Sequence, residues 1–203
     1  MSEFALIATP PFTVIAGRHG RDLPAPGLRI QVLKPRAMVH VMARRNKRVE
    51  LGRTMQTRFG VVLPDAPILA RGDKVSLLWA GHHQWLALAA DEARANLVAE
   101  LQTSVGGASS LFDQSDARFA VMASGLKVRD TLAKLTPIDL HPRAFAPSQT
   151  ALTLFGHLTG QITQIDDAPS YELMVFRGFA QCFWRSIHAA GAEFGIHVTE
   201  TIR

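Results

Sequence analysis

The chain has 203 residues, of which 47% are hydrophobic and 19% charged, with a formal net charge of +5. That length and apolar content suit one globular unit or two small fused lobes with a real core. The single cysteine, Cys182, excludes an internal disulfide and a cysteine-based zinc site within the chain, and no stretch approaches the ~20 apolar residues of a membrane span.

Residues 1–36 are rich in proline and glycine, from Pro10-Pro11 through Gly17, Gly20 and Pro24 to Pro35. They read as an extended arm without strand or helix, loose or laid on a partner. Glu3, the lack of a basic leader and the early Pro10-Pro11 break argue against a signal peptide. The expected setting is cytoplasmic.

Residues 37–43 form an apolar run with β-branched members and predict a strand. Leu51, Met55 and Phe59 then recur at helical spacing, so a helix is expected over 46–59, ended by Gly60. Residues 74–80 and 85–90 read as two strands joined at His82-His83. Asp91 is placed to cap the next helix, whose stripe is Leu97, Val98, Leu101 and Val105. A strand follows around 110–113. The order strand, helix, strand, strand, helix, strand is that of a split βαβ, or ferredoxin-like, unit.

The second half repeats this order. Strands are expected at 117–124, 150–158, 171–176 and 196–202, with a further ribbon at 161–165. Helices are expected at 125–135, anchored by Leu126, Leu132 and Leu135, and at 179–194, on Phe179, Phe183, Ile187, Ala190 and Phe194. The second hairpin and helix track the first at an offset of 86, from Trp85 to Tyr171 and from Leu101 to Ile187. The predicted class is α+β, with two tandem ferredoxin-like (βαββαβ) halves over 37–113 and 117–202. Cys182 falls in the last helix and reads as a small buried hydrophobe.

Charge is uneven. Residues 1–58 carry eleven Lys and Arg against Glu3, Asp22 and Glu50, while the remainder is slightly acidic. Such asymmetry usually describes a partner surface. Arg44, Arg45, Lys47 and Arg48 stand at the start of the 46–59 helix, where the macrodipole disfavours cations. Either solvent screens that corner or an acidic partner covers it. His141 and Arg143, in the polar cluster around Pro142, complete the candidate subunit interface.

No phosphate loop and no G-x-G-x-x-G fingerprint follows a strand. His82-His83 has neither a histidine nor an acid at metal-ligand spacing and reads as an exposed turn. Asp166-Asp167 before Ala-Pro-Ser reads as a solvated turn. No G-x-S-x-G elbow supports a serine nucleophile. No catalytic, cofactor-binding or metal residue is therefore expected in this chain.

Three segments resemble the sarcosine oxidase gamma subunit family. One is Phe59-Gly-Val-Val-Leu-Pro64 followed by Leu77-Leu-Trp79-Ala-Gly81 and Trp85-Leu86. Another is Asp113-Gln-Ser115-Asp-Ala-Arg118 with Ser124-Gly125. The most specific is Asp139-Leu-His-Pro-Arg-Ala-Phe145. Together they span about residues 37–195. His82-His83 stands where the family often has Pro-Asp.

The resemblance implies a fold like the folate-binding domain of glycine-cleavage T-proteins. It also implies alpha, beta and delta subunits as partners in an enzyme that oxidises the N-methyl group of sarcosine and passes the one-carbon unit to tetrahydrofolate. FAD, FMN, NAD and zinc are then expected in those other subunits, and none in this chain. The equivalent subunit of an N-methylglutamate dehydrogenase fits the same residues. A stand-alone folate-dependent aminomethyltransferase would need an extra barrel domain. A nucleic-acid-binding module, suggested by the pI of about 10.0, would interleave aromatics with its charges. None lies between Phe12 and Phe59, so neither nucleic acid nor membrane is expected as a partner.

Overall fold

Alternation along the strands builds the molecule in four layers. The structure, a computed structural model, describes residues 10–90 and 93–199. One sheet has five strands: β3 (Ala37–Ala43), β4 (Leu69–Ala70), β5 (Ser76–Gly81), β6 (Gln84–Ala89) and β7 (Ser109–Asp113). Their order is β4-β5-β6-β3-β7, with every pairing antiparallel. The other sheet has seven, β1 (Gly17–His19), β2 (Leu28–Val32), β8 (Arg118–Ser124), β9 (Thr150–Phe155), β10 (Leu158–Asp166), β11 (Ser170–Phe176) and β12 (Ile196–Thr199), in the order β1-β12-β2-β8-β11-β10-β9.

Successive strand residues point to opposite faces. In the first sheet Val39, Val41, Leu77, Trp85 and Ala87 face outward onto α1 (Arg48–Phe59) and α2 (Arg94–Val105), where Leu51, Met55, Leu97 and Leu101 meet them. In the second, Val121, Ile162, Tyr171 and Leu173 face α3 (Val128–Leu132) and α4 (Ala180–Gly191), which contribute Leu132, Phe183 and Ile187. The intervening residues, Met38, Leu69, Leu78, Leu86, Leu88 and Met174, form a third apolar layer between the two sheets. The Gln161 side chain crosses that layer and donates to the Trp79 carbonyl at 2.7 Å.

The α+β class and the repeated element order stand as expected. In the first sheet β7-β3-β6-β5 is the strand order of a split βαβ unit. The second sheet differs in a way that corrects the expectation of an extended arm without strands over residues 1–36. β2 lies between β12 and β8, parallel to the former and antiparallel to the latter. β1 extends the edge beyond β12. Leu28 and Ile30 are fully buried in the second core, and Phe12 and Val14 pack against it. The local signal was Leu28, Ile30 and Val32 at period two, overshadowed by the flanking prolines and glycines.

Other boundaries shift. α3 is a single short helix rather than 125–135, and Leu126 is 98% exposed instead of anchoring it. Gly125, at φ 112, turns the chain so closely past Gly27 that an added Cβ would meet the Gly27 carbonyl oxygen at 2.5 Å. Leu126 consequently leaves the core side. The ribbon at 161–165 is the centre of β10, which with β9 and β11 forms a three-stranded meander. Cys182 is exposed, because it sits one residue off the buried stripe of Ala180, Phe183, Ile187 and Ala190. Asp91 and residues 200–203 lie outside the described residues.

Candidate functional site

The basic corner follows directly from how β3 ends. The Arg44 backbone N–H bonds the Ala108 carbonyl at 2.9 Å, and the Arg44 Nε donates to the Ser109 carbonyl at 3.1 Å. Asn46 then takes a left-handed conformation at φ 61 and turns the chain into α1. No side chain caps that helix. Lys47 pairs with Glu50 at 2.6 Å, and Arg48 pairs with Asp65. The electrostatic conflict expected at this helix start is therefore met within the chain for Lys47 and Arg48. Arg45 is exposed and makes no hydrogen bond or ion pair among the described residues.

His141 and Arg143 sit in an exposed turn. The Asp139 carboxylate accepts the His141 N–H at 2.9 Å, and the His141 Nδ1 accepts the Arg143 N–H at 3.2 Å. Leu140 and Phe145 on either side are buried in the second core. This segment is a bracket whose polar groups serve the turn and whose apolar groups anchor it. None of the described bonds joins it to the basic corner.

The other motif residues also serve the fold. Trp85, fully buried, donates its indole N–H to the Pro64 carbonyl at 2.9 Å, tying the loop after α1 to β6. Gly60 closes α1 in the left-handed conformation at φ 65. Asp113 Oδ1 accepts from the Ser115 N–H and hydroxyl at 2.9 and 2.6 Å, and Ser115 Oγ in turn accepts the Met38 N–H at 3.0 Å. Tyr171, the counterpart of Trp85, is likewise buried, and its hydroxyl accepts from Arg129 Nε at 2.9 Å. Burial pushes the Tyr171 phenol above its usual range, against the Arg129 charge.

The remaining candidates hold no chemistry together. His82 and His83 are exposed at the β5–β6 turn with rings stacked 3.9 Å apart. Asp166 accepts from Ser170 Oγ at 2.6 Å, from the Ser170 N–H at 2.9 Å and from the Ala168 N–H at 3.0 Å, which lowers its pKa. That is the bonding of a carboxylate closing its own turn. Among the described residues no three histidine, cysteine or acidic side chains converge as metal ligands. No helix among the described residues is long and apolar enough to cross a membrane. His40 of β3, which the sequence left unmarked, and Arg118 of β8, the last residue of the Asp113–Arg118 segment, come close enough between the sheets for the Arg118 charge to act on His40. The sequence signal of both was polarity at the inward positions of two apolar strands.

A family model described as the sarcosine oxidase gamma subunit family matches residues 50–193. Among solved structures, a chain of the heterotetrameric sarcosine oxidase from Corynebacterium sp. U-96 is similar with a TM-score of 0.72 at 21% identity, covering 82% of this chain and 85% of that one. The glycine cleavage system aminomethyltransferase T from Bartonella henselae is similar with a TM-score of 0.61 at 10% identity, over 87% of this chain and 48% of that one. Both likenesses are of fold, and the second spans about half of the longer protein. No match was found among curated proteins. The family model covers well over half of the residues, and the chain belongs to the sarcosine oxidase gamma subunit family.

Proposed function

We propose that this chain is the gamma subunit of a heterotetrameric sarcosine oxidase and acts in assembly, with no chemistry of its own. The observation that carries this reading is the family membership taken with what the family-like residues do. Trp85, Asp113, Ser115, Asp139 and His141 all close turns or join elements. A self-sufficient active site would instead bring a base, its orienting partner and a reacting atom's position into one cleft.

In this reading the chain's partners are the alpha, beta and delta subunits. The complex demethylates sarcosine to glycine in the cytoplasm and passes the one-carbon unit to tetrahydrofolate. FAD, FMN, NAD and zinc reside in the partner chains. The basic corner of Arg44, Arg45, Lys47 and Arg48, with His141 and Arg143, forms part of the contact. Arg45 supplies its uncommitted charge, and Arg suits bidentate pairing with a carboxylate.

The test is co-expression with the large subunits of the complex. The chain should co-purify with them, while the chain alone should be colourless and oxidise no amine. Reversal of Arg44, Arg45, Lys47 and Arg48 to Glu should loosen the complex on size exclusion, more at low salt than at moderate salt. Stoichiometric flavin in the isolated chain would sink the non-catalytic assignment.

A further inference from the structure

Four strands from the two sheets bring an unusual group together at the edge formed by β7. Phe112 of β7 stands opposite His40 of β3. Arg118 of β8 stands opposite Phe176 of β11, with its guanidinium carbon 3.7 Å from the centre of that ring. The Nε of Arg118 and the Nε2 of His40 are both buried, and neither has a hydrogen-bond partner. Among the described residues Arg118 makes no ion pair. Burial lowers its pKa and that of His40; at His40 a side-chain hydrogen bond with Gln84 opposes the shift and the Arg118 charge adds to it. Phe112 and Phe176, by contrast, are 54% and 40% exposed.

The other half-buried arginines have partners. Arg36 is paired with Glu172 and Arg48 with Asp65. Arg129 bonds Tyr171. Arg118 is half-buried, and among the described residues the Phe176 ring is its one partner, which leaves its Nε unsatisfied and its charge without an ion pair; such groups are costly, and native proteins ordinarily satisfy them. Exposing Phe176 beside Arg118 and Phe112 beside His40 adds apolar surface that water does not favour. Both defects are removed together if another surface covers the junction. Aromatic and arginine side chains are the types enriched at the centres of protein interfaces, where desolvated charges find their partners.

The geometry points to a docking surface at this junction, which takes an acidic side chain of a large partner subunit against Arg118 and His40 and apolar side chains against Phe112 and Phe176. The surface rests on the subunit reading above and specifies where that reading is enacted. The required partner chemistry follows from the orphaned groups. The Arg118 guanidinium offers N–H donors that a carboxylate accepts side by side. An acid is demanded by the unpaired charge, and the two rings demand apolar flanks. The basic corner is a less specific contributor, since Lys47 and Arg48 already have partners.

The experiment is retention of this chain on a tagged large subunit after co-expression, compared for the parent, Phe112→Ser, Arg118→Met, Arg118→Lys and Arg58→Gln. Thermal melts of each isolated chain accompany it. Phe112→Ser and Arg118→Met should each weaken retention about thirtyfold, the scale of a central interface residue. Arg118→Lys should recover part of it, and Arg58→Gln, on the exposed end of α1, should change nothing. The isolated Arg118→Met chain should melt no lower than the parent. Equal retention of the parent, Phe112→Ser and Arg118→Met would overturn the docking surface alone. If Arg118→Met proves poorly folded, the exposed Phe112 variant decides. Failure of the parent itself to be retained would bring down the subunit reading and the docking surface with it.

Discussion

The two halves share an element order but not a sheet. In the first, β3, β5, β6 and β7 make the sheet that the local pattern implies, with short β4 added at the edge. In the second, β12 is displaced one place outward, and β2 from the N-terminal segment takes the position beside β8. The large aromatic of each half follows the same plan, with Trp85 and Tyr171 buried and their polar tips satisfied. A repeated unit thus preserved its core and its order while its strand neighbours were changed. The lesson is that a sequence repeat specifies which residues are inside more firmly than which strand lies beside which.

The largest expected effect tests that difference directly. Removing residues 1–33 takes β2 from the interior of the seven-stranded sheet and should abolish cooperative melting, since total stability is only ~5–15 kcal/mol. The milder Ile30→Ala should cost about 2–5 kcal/mol in a urea titration. A truncated chain that melts as sharply and as high as the parent would restore the loose-arm reading.

Next come the equivalent helix positions Leu101 and Ile187, both fully buried but in separate cores. Either residue changed to Ala should cost roughly 2–5 kcal/mol. Because the two sites share no core cluster, the double variant should equal the sum within about 0.5 kcal/mol. A larger departure would mean that the halves behave as one packed unit.

A smaller asymmetry concerns pH. His188 of α4 packs against Trp184 and His19, at ring separations of 4.6 and 5.1 Å, and its Nε2 is buried without a hydrogen-bond partner. Burial, and then the His19 charge, holds its pKa below the ordinary value. The unfolded chain therefore takes up the proton first as pH falls. Stability is fully present above the ordinary histidine pKa of about 6.5 and declines below it. His188→Gln should flatten that decline between neutral and mildly acidic urea melts, leaving the share of His40, whose pKa is also lowered by burial. α2, the counterpart of α4, contains no histidine. An unchanged slope in the variant would remove His188 from the account.

The smallest effect is expected at the basic corner. Reversal of Lys47 and Arg48 to Glu breaks two pairs, with Glu50 and Asp65, but places acids where the α1 dipole favours them. Exposed pairs contribute about 0–1 kcal/mol. The isolated chain should therefore change by less than about 1 kcal/mol in a thermal or urea melt. A loss well beyond that would show that the Arg48–Asp65 pair anchors the loop after α1.

Much of this protein was legible in the chain itself. The 3.6-residue recurrence of Leu51, Met55 and Phe59 and of Phe183, Ile187 and Ala190 predicts helices whose buried faces are those residues. The offset of 86 pairs Trp85 with Tyr171 and Leu101 with Ile187, and all four are fully buried. These features depend on neighbours within one or two turns or strands, so a window of sequence contains their cause. The candidate site was legible only in part. The exposed charges of the basic corner stood out, while His40, Phe112, Arg118 and Phe176 lay on four separate strands whose convergence no single stretch displays.

The tertiary structure alone decided where β2 belongs. Leu28 pairs with Ile196 and Ile30 with Ala123, contacts between residues so distant in the chain that the prolines and glycines around β2 outweigh its short alternation. It also decided the orientation of Leu126, turned outward by Gly125, whereas the exposure of Cys182 follows from helical phase beside Phe183. Periodicity is a property of adjacent residues, whereas strand neighbourhood is a competition among all strands for backbone hydrogen bonds and buried area, and that competition is resolved only when the whole chain is folded.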